Sequence, residues 1–352
     1  MKKAISVLLA LVLMLACVSA FADDTAAATP KYVFMFIGDG MGSPQVTATQ
    51  YYLGAIENPD SPVPVPAELS FTEFATVGLM TTYDATSFNP DSASTASAMA
   101  SGEKIPSGAL NYKYEVATEE NTTEDAVLDK TGQFVLTEAT KLITEYAKEA
   151  GMKIGVISSV SLNHATPAAY YAKETSRNNY YEIGVQALTG TVLDFLGGGN
   201  LKKMSVEGQP GIEELAADNG WTIVNTIEDI KALNADSGRV LCVNPDIADD
   251  SAMAYEIDRV NREAEEGEIL SLADITEAGI AVLDNEDGFF MMVEGGKIDW
   301  AGHANDAATS IYDTIAFSDA VQVALDFAAE HADETLIIVT GDHETGGMTI
   351  GF

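Results

Sequence analysis

Short apolar segments alternate with longer amphipathic ones along most of the chain. Six of the short segments are bounded by turn-forming residues and are predicted to be buried β-strands. They are Tyr32–Ile37, Thr76–Met80, Ile154–Ile157, Val240–Val243, Phe289–Val293 and Leu336–Val339. Three longer stretches carry apolar residues at helical spacing and are predicted to be helices. They are Phe134–Ala150, Ser271–Leu283 and Ile311–Ala329.

This alternation predicts an α/β fold with a mostly parallel central sheet and helices on both faces. The polar stretch Ser107–Lys130 is predicted to be an irregular surface loop, and the acid-rich stretch Asp246–Glu268 is predicted to be a solvated excursion. Ligands of such sheets bind beyond the carboxyl ends of the strands, so the polar residues that directly follow a strand are the candidate site residues.

The N-terminus has the pattern of an export signal. Lys2 and Lys3 precede an apolar run over residues 4–18, and small residues stand at the positions expected before a cleavage after Ala22. The run is too short for a comfortable membrane span. We therefore expect residues 1–22 to be a signal peptide.

The mature protein is then expected to begin with a flexible leader over residues 23–30 and to be periplasmic or extracellular. A lipoprotein modified at Cys17 is the weaker alternative, because the residues before this cysteine match a lipobox poorly. The chain has two cysteines, which cannot form a disulfide framework.

The charge of the chain excludes some classes of partner. There are 18 Lys and Arg residues against 54 Asp and Glu residues, a formal net charge of −36. Binding to nucleic acid or to acidic lipid depends on a basic surface. We expect neither a nucleic-acid partner nor a stable membrane contact.

Acidic and imidazole groups follow three of the predicted strands. Asp39 lies in a glycine-rich turn, and Asp342 and His343 are adjacent in another. Asp299 and His303 are four residues apart, so on a helix they share a face and could bind one divalent ion. Taken singly, each motif also has an ordinary structural interpretation, as a capped turn or a surface ion pair.

Two further motifs complete the candidate chemistry. His164 and Thr166 lie shortly after a strand, with Arg177 eleven residues beyond Thr166, and Ser92 opens a run of small residues typical of a packed helix. A helix N-terminus favours anions, although it is also where serine commonly acts as a cap. No Gly-x-Ser-x-Gly elbow surrounds Ser92, so this serine would need a metal to become a nucleophile.

In their order along the chain, these motifs resemble those of the alkaline phosphatase family. The matching segments are Gly38–Gly42, Asp91–Ala93, Ala165–Ala169 with Arg177, Val293–His303 and Gly341–Gly347. The resemblance implies an alkaline-phosphatase-like catalytic domain over residues 31–352. It also implies metal-dependent hydrolysis of small phosphate monoesters through a phosphoserine, and it is compatible with a homodimer.

The resemblance further implies two zinc ions, one magnesium ion and a role for each motif residue. Ser92 would be the nucleophile and a metal ligand, Arg177 would hold two phosphate oxygens, and His164 and Trp300 would tune the magnesium site and the phosphate contact. The implied ligands are Asp39, Asp342 and His343 for the zinc that activates Ser92, Asp299 and His303 for the second zinc, and Asp39, Thr166 and Glu294 for the magnesium.

One expected ligand has no counterpart. Family members carry a further histidine after the Asp342 motif, which completes the second zinc site, whereas His331 lies before the last predicted strand. We expect the sequence to be truncated at its C-terminus and the second zinc to be weakly bound. The alternatives are an inactive or weakly active phosphate- and metal-binding fragment, or a phosphodiesterase of the same superfamily.

Overall fold

The computed structural model describes residues 29–351 of the chain, which fold around a parallel β-sheet. The predicted signal peptide and most of the predicted leader lie outside the described residues. The strands in chain order are β1 (Tyr32–Gly38), β2 (Tyr112–Val116), β3 (Val127–Leu128), β4 (Phe134–Ala139), β5 (Lys153–Ser158), β6 (Phe195–Gly198), β7 (Trp221–Val224), β8 (Arg239–Val243), β9 (Phe289–Gly295) and β10 (Thr335–Gly341).

Helices connect most of these strands. In chain order they are α1 (Ser43–Glu57), α2 (Ser92–Ser101), α3 (Ile143–Glu149), α4 (Ala165–Ala168), α5 (Tyr180–Thr189), α6 (Ile212–Asp218), α7 (Ile227–Lys231), α8 (Glu256–Glu266), α9 (Leu272–Leu283), α10 (Lys297–His303) and α11 (Ala307–Glu330). None of the helices within residues 29–351 combines the length and apolar character that crossing a bilayer requires.

Seven strands form the main sheet in the order β10-β1-β9-β5-β6-β8-β7, and every neighbouring pair is parallel. Successive side chains of a strand point to opposite faces. In β9, Phe289, Met291 and Val293 therefore pack into one core with α9 and α11. Phe290 and Met292 pack into the other core with α2, α5 and α6. The predicted α/β fold, with helices on both faces of a parallel sheet, is confirmed.

The register of the sheet aligns the carboxyl ends of three neighbouring strands. Gly38 at the end of β1 pairs with Gly341 of β10 on one side and with Gly295 of β9 on the other. The residues that follow these positions consequently emerge at the same level of one sheet edge. Asp39, Asp342 and the start of α10 are brought together in this way.

The predicted strand Thr76–Met80 is wrong. This segment is irregular, and it runs beside β10 across a groove of about 850 Å³ bounded by residues 74–82 and 336–341. Val77 is 86% exposed, so its apolar character does not report burial in a sheet. A short apolar run becomes a strand only where a neighbouring strand accepts its backbone hydrogen bonds, and that partner is not visible in local sequence.

The predicted helix Phe134–Ala150 is wrong in its first half. Residues 134–139 form β4, which pairs antiparallel with β2 and β3, and the helix begins only at Ile143. The same small sheet corrects the prediction that Ser107–Lys130 is irregular. Within the acid-rich stretch Asp246–Glu268, residues 256–266 form α8, a helix with one buried residue. The predicted helices Ser271–Leu283 and Ile311–Ala329 are confirmed as α9 and as part of α11.

Replacing Gly198 should destabilise the sheet next to these aligned strand ends. Gly198 ends β6 with φ of 121°, and a Cβ built on it would overlap the backbone oxygen of Ser158. We expect Gly198→Ala to lower the free energy of unfolding by about 3 kcal/mol, because both the backbone conformation and the contact become unfavourable. Chemical denaturation measures this change.

Gly78→Ala is the matched control for this experiment. A Cβ at position 78 would meet no atom within 4 Å. We expect its unfolding midpoint to stay close to that of the wild type. Equal midpoints for the two alanine variants would contradict the proposed crowding at Gly198.

Candidate active site

Ser92 is the first residue of α2, so its hydroxyl lies at the positive end of the helix dipole. The helix is capped by Asp91, whose carboxylate accepts a hydrogen bond from the backbone N–H of Ser94 at 3.1 Å. The capping role belongs to Asp91, which leaves the Ser92 side chain free for other contacts. The Ser92 hydroxyl therefore lies at a helix N-terminus, which is a favourable place for an anion.

The Ser92 hydroxyl is surrounded by groups from the turns after β1 and β10. Its Oγ lies 3.4 Å from Oδ1 of Asp39 and 3.3 Å from Nε2 of His343. Nε2 of His343 lies in turn 3.3 Å from Oδ1 of Asp39 and 3.4 Å from Oδ2 of Asp342. Nε2 of His343 thus lies within 3.4 Å of three side-chain oxygens, from Ser92, Asp39 and Asp342, that could share a metal ion with it.

Asp342 is held in a fixed orientation by three donors. The backbone N–H groups of Gly40 and His343 donate to its Oδ1 at 3.0 and 2.8 Å. The hydroxyl of Thr95, one turn into α2, donates to its Oδ2 at 3.0 Å. Asp342 therefore links the turn that carries Asp39 to the helix that carries Ser92.

Asp299 and His303 lie on one face of α10, as their spacing predicts. Oδ2 of Asp299 is 3.5 Å from Nε2 of His303, whose side chain is 72% exposed. Thr345 donates to Oδ1 of Asp299 at 2.6 Å and lies 3.2 Å from Nδ1 of His343. Ligand atoms of Asp39, Asp299 and His343 all lie within 4.8 Å of one another, close enough to hold a metal ion.

Asp39 also faces a second, deeper group of polar side chains. Thr166 donates to its Oδ2 at 3.3 Å, and the nearby Glu294 accepts from Ser158. Oε1 of Glu294 is buried and has no hydrogen-bond partner among the described residues. Burial, together with the charges of neighbouring carboxylates, raises the pKa of Asp39, and burial is the largest cause that raises the pKa of Glu294 to about 7.

Arg177 contributes a cation at the other side of Ser92. Its Nη1 is 3.3 Å from Oδ2 of Asp91, and its Nη2 is 3.4 Å from Nε2 of His164. Burial and the charge of Arg177 lower the pKa of His164 to about 3, so the neutral imidazole can accept a hydrogen bond from the guanidinium. Trp300 packs against His164 edge to face, with ring centroids 5.8 Å apart.

These groups line or underlie one open cleft of about 580 Å³. Of the residues singled out in the sequence, seven line it: Ser92, His164, Arg177, Asp299, Trp300, His303 and His343. Asp39, Thr166, Glu294 and Asp342 are buried beneath them. His331 lies elsewhere, stacked on Phe327 with ring centroids 4.4 Å apart and close to Tyr32 at the start of β1.

Three hydroxyls in the site were not identified from the sequence. Thr345 contacts Asp299, Thr95 contacts Asp342, and Ser158 contacts Glu294. Thr345 lies in the motif that follows β10, and Ser158 ends a strand, so position was the available signal. Threonine and serine are common in turns and at helix ends, so their position alone does not distinguish a hydroxyl of the site from a simple cap.

Comparison with known proteins identifies relatives of the whole described region. The protein-family model for alkaline phosphatase matches residues 30–351. Alkaline phosphatase 4 of Bacillus subtilis is 32% identical over 331 residues, which cover 91% of this chain and 63% of the relative. The human tissue-nonspecific alkaline phosphatase isozyme is 28% identical over 89% of this chain and 63% of its own length. The chain thus spans somewhat less than two thirds of these relatives.

Solved structures give the same result. Alkaline phosphatase from the Antarctic bacterium TAB5 superposes with a TM-score of 0.70 at 31% identity, covering 91% of this chain and 81% of the other. The cold-active enzyme from a Shewanella species superposes with a TM-score of 0.71 at 28% identity, covering 90% of this chain and 69% of the other. By sequence and by fold, the chain belongs to the alkaline phosphatase family.

Proposed function

We propose that this protein hydrolyses phosphate monoesters with Ser92 as the nucleophile. The observation that carries the proposal is the position of the Ser92 hydroxyl. It lies at a helix N-terminus, 3.4 Å from a buried carboxylate oxygen of Asp39 and 3.3 Å from the imidazole of His343. The ester phosphate would enter the cleft above it. Attack of Oγ on phosphorus would break the bond from phosphorus to the ester oxygen, and the alcohol would leave with a proton in place of the one that serine loses. Water would then hydrolyse the phosphoserine to inorganic phosphate and free Ser92.

The donor set fits divalent cations. Four carboxylates, from Asp39, Glu294, Asp299 and Asp342, are buried at one sheet edge, and a buried charge needs a partner. Oε1 of Glu294 lacks one among the described residues, which supports a ligand there. An alkaline phosphatase variant from TAB5 has been solved with magnesium bound, which favours the same class of ion here.

We assign the ligands as the resemblance to the alkaline phosphatases implies. The sites would be Asp39, Asp342 and His343 for a zinc beside Ser92, Asp299 and His303 for a second zinc, and Asp39, Thr166 and Glu294 for a magnesium. When bound, such ions would lower the pKa of a coordinated hydroxyl and neutralise charge on the phosphoryl group during its transfer. Thr345 would orient Asp299 by its hydrogen bond.

Arg177 would hold the phosphate in the cleft. Its planar guanidinium can donate two parallel hydrogen bonds to phosphate oxygens. Asp91 and His164 contact its two terminal nitrogens and so orient the fork before substrate arrives. Although burial raises the pKa of Asp91, the charge of Arg177 and the N–H groups of Gly108 and Ser94 lower it overall, which keeps this partner ionised.

A second candidate function is phosphate and metal binding without turnover. It is favoured by the geometry of the second proposed zinc site. The His303 side chain is 72% exposed, and among the described residues Asp299 is the one carboxylate within 4 Å of its imidazole. A phosphoserine trapped on Ser92 would separate the enzyme from the binder. Comparing an aryl phosphate monoester with the corresponding diester would separate a monoesterase from a diesterase.

Removing the Ser92 hydroxyl should abolish turnover. In protein loaded with zinc and magnesium, we expect Ser92→Ala to reduce kcat/KM for an aryl phosphate monoester at least about a thousandfold, or about 4 kcal/mol. Mass spectrometry of acid-quenched wild type should find phosphate on Ser92. The control is Ser101→Ala at the other end of α2, where the hydroxyl donates to the backbone oxygen of Ser97. Full activity of Ser92→Ala would refute the proposed nucleophile.

The metal-free protein should lose stability as the pH rises towards 7, whereas the stabilisation that added metal provides should grow. The pKa of Glu294 is about 7 in the folded protein against 4.5 ordinarily, so the folded state keeps a proton that the unfolded state has released. Raising the pH from 4.5 to 7 therefore destabilises the metal-free protein. Metal binding needs the ionised carboxylate, so the increase in Tm on adding zinc and magnesium should grow as the pH rises through 7.

Melting curves in chelator and in metal at pH 5.5 and pH 8.5 measure both trends. Glu294→Gln is the matched variant, because the amide keeps the shape and loses the titration. Its metal-free Tm should change less between the two pH values than that of the wild type. The same pH dependence in both proteins would contradict a role for Glu294.

A further inference from the structure

The first residue of α10 is a buried lysine that the proposed mechanism does not use. Lys297 is 2% exposed, and its Nζ lies 3.5 Å from the ring centroid of Tyr255 and 4.8 Å from that of Trp300. An ammonium removed from water is costly unless other groups compensate it. Here two aromatic faces do so, an arrangement whose attraction is strongest where water is excluded.

A buried carboxylate on α11 acts on this ammonium through its charge. Asp313 is buried, and its Oδ2 has no hydrogen-bond partner among the described residues. Burial lowers the pKa of Lys297, and the charge of Asp313 is the largest influence that opposes this shift. The nearby Glu256 is already engaged, because Arg259 donates to both of its oxygens at 2.6 and 2.7 Å. Asp313 is therefore the buried acid whose charge acts most strongly on Lys297.

Trp300 connects this buried group to the cleft. One side of its ring faces the ammonium of Lys297, and the ring also packs against His164, whose Nε2 is 3.4 Å from Arg177. The helix that carries Trp300 has seven residues. A helix this short is not stable alone, so contacts such as those of Lys297 determine where its side chains point.

We propose that Lys297 is a positioning residue, whose ammonium, held between Tyr255 and Trp300, keeps the Trp300 ring against His164 and thereby sets the Arg177 guanidinium in the cleft. Lys297 touches neither phosphate nor its ester, and it acts through Trp300. The inference rests on the proposed function in one respect, namely the assignment of Arg177 as the phosphate-binding fork.

The test compares Lys297→Met, which keeps the length and loses the charge, with Lys297→Arg, which keeps the cation. Two properties are measured: the Kd of inorganic phosphate for protein loaded with zinc and magnesium, and acrylamide quenching of tryptophan fluorescence in metal-free protein. The chain has two tryptophans, and Trp221 is buried, so quenching reports mainly on the half-buried Trp300. A Trp300→Phe protein supplies the baseline.

We expect Lys297→Met to weaken phosphate binding about tenfold, equivalent to about 1.4 kcal/mol, and to raise the quenching constant about twofold. Lys297→Arg should keep the phosphate Kd and the quenching constant within about threefold of the wild-type values. In Lys297→Met, KM for the ester should rise more than kcat falls. The control is Lys203→Met, since Lys203 lies 4.7 Å from the ring centroid of Tyr180 but is exposed. It should change neither property.

A pair of substitutions on the other ring guards against a variant that fails to fold. Tyr255→Phe keeps the aromatic face and should behave as the wild type, whereas Tyr255→Leu should reproduce the effects of Lys297→Met. Unchanged quenching in Lys297→Met, or equal effects of Phe and Leu at position 255, would overturn the proposal. A wild type that neither binds nor hydrolyses phosphate would refute the proposed function instead, and the quenching comparison would then decide the role of Lys297 by itself.

Discussion

The concentration of negative charge at one end of the sheet is the constraint on which the rest of the site depends. Asp39, Glu294, Asp299 and Asp342 are all at most 4% exposed and come from three neighbouring strand ends. Burial, together with the charges of the neighbouring carboxylates, raises the pKa of Asp39, and burial is the largest cause that raises the pKa of Glu294. The folded chain therefore needs protons or bound cations here, and this need couples the proposed metal chemistry to stability.

The sheet produces this concentration through its register. Because β1, β9 and β10 are parallel and in step, each delivers its following turn to the same edge. The turns are also in close contact, since a Cβ on Gly341 would overlap the backbone oxygen of Met41. Glycine at that position lets the turns that carry Asp39 and Asp342 approach closely enough to share one site.

The sequence indicated which residues meet at this end of the sheet more reliably than it indicated the borders of the strands and helices. A polar group directly after a buried strand is visible in local sequence, which is why Asp39 and Asp342 could be selected from the pattern of residues. Glu294 was implied only by the family resemblance. The segment Thr76–Met80 and residues 134–139 were misassigned, because pairing between distant strands decides their state. Thr345 was overlooked, because its importance comes from the distance between its hydroxyl and Asp299, which local sequence does not encode.

The position of β10 has a consequence for the motions of the protein. Among the described residues, β10 pairs with β1 alone, and Leu336 and Ile338 on it are exposed. Local opening of a strand lets its amides exchange with solvent without global unfolding. Because Asp342 and His343 directly follow β10, the order of this strand and the arrangement of the cluster around Ser92 are coupled.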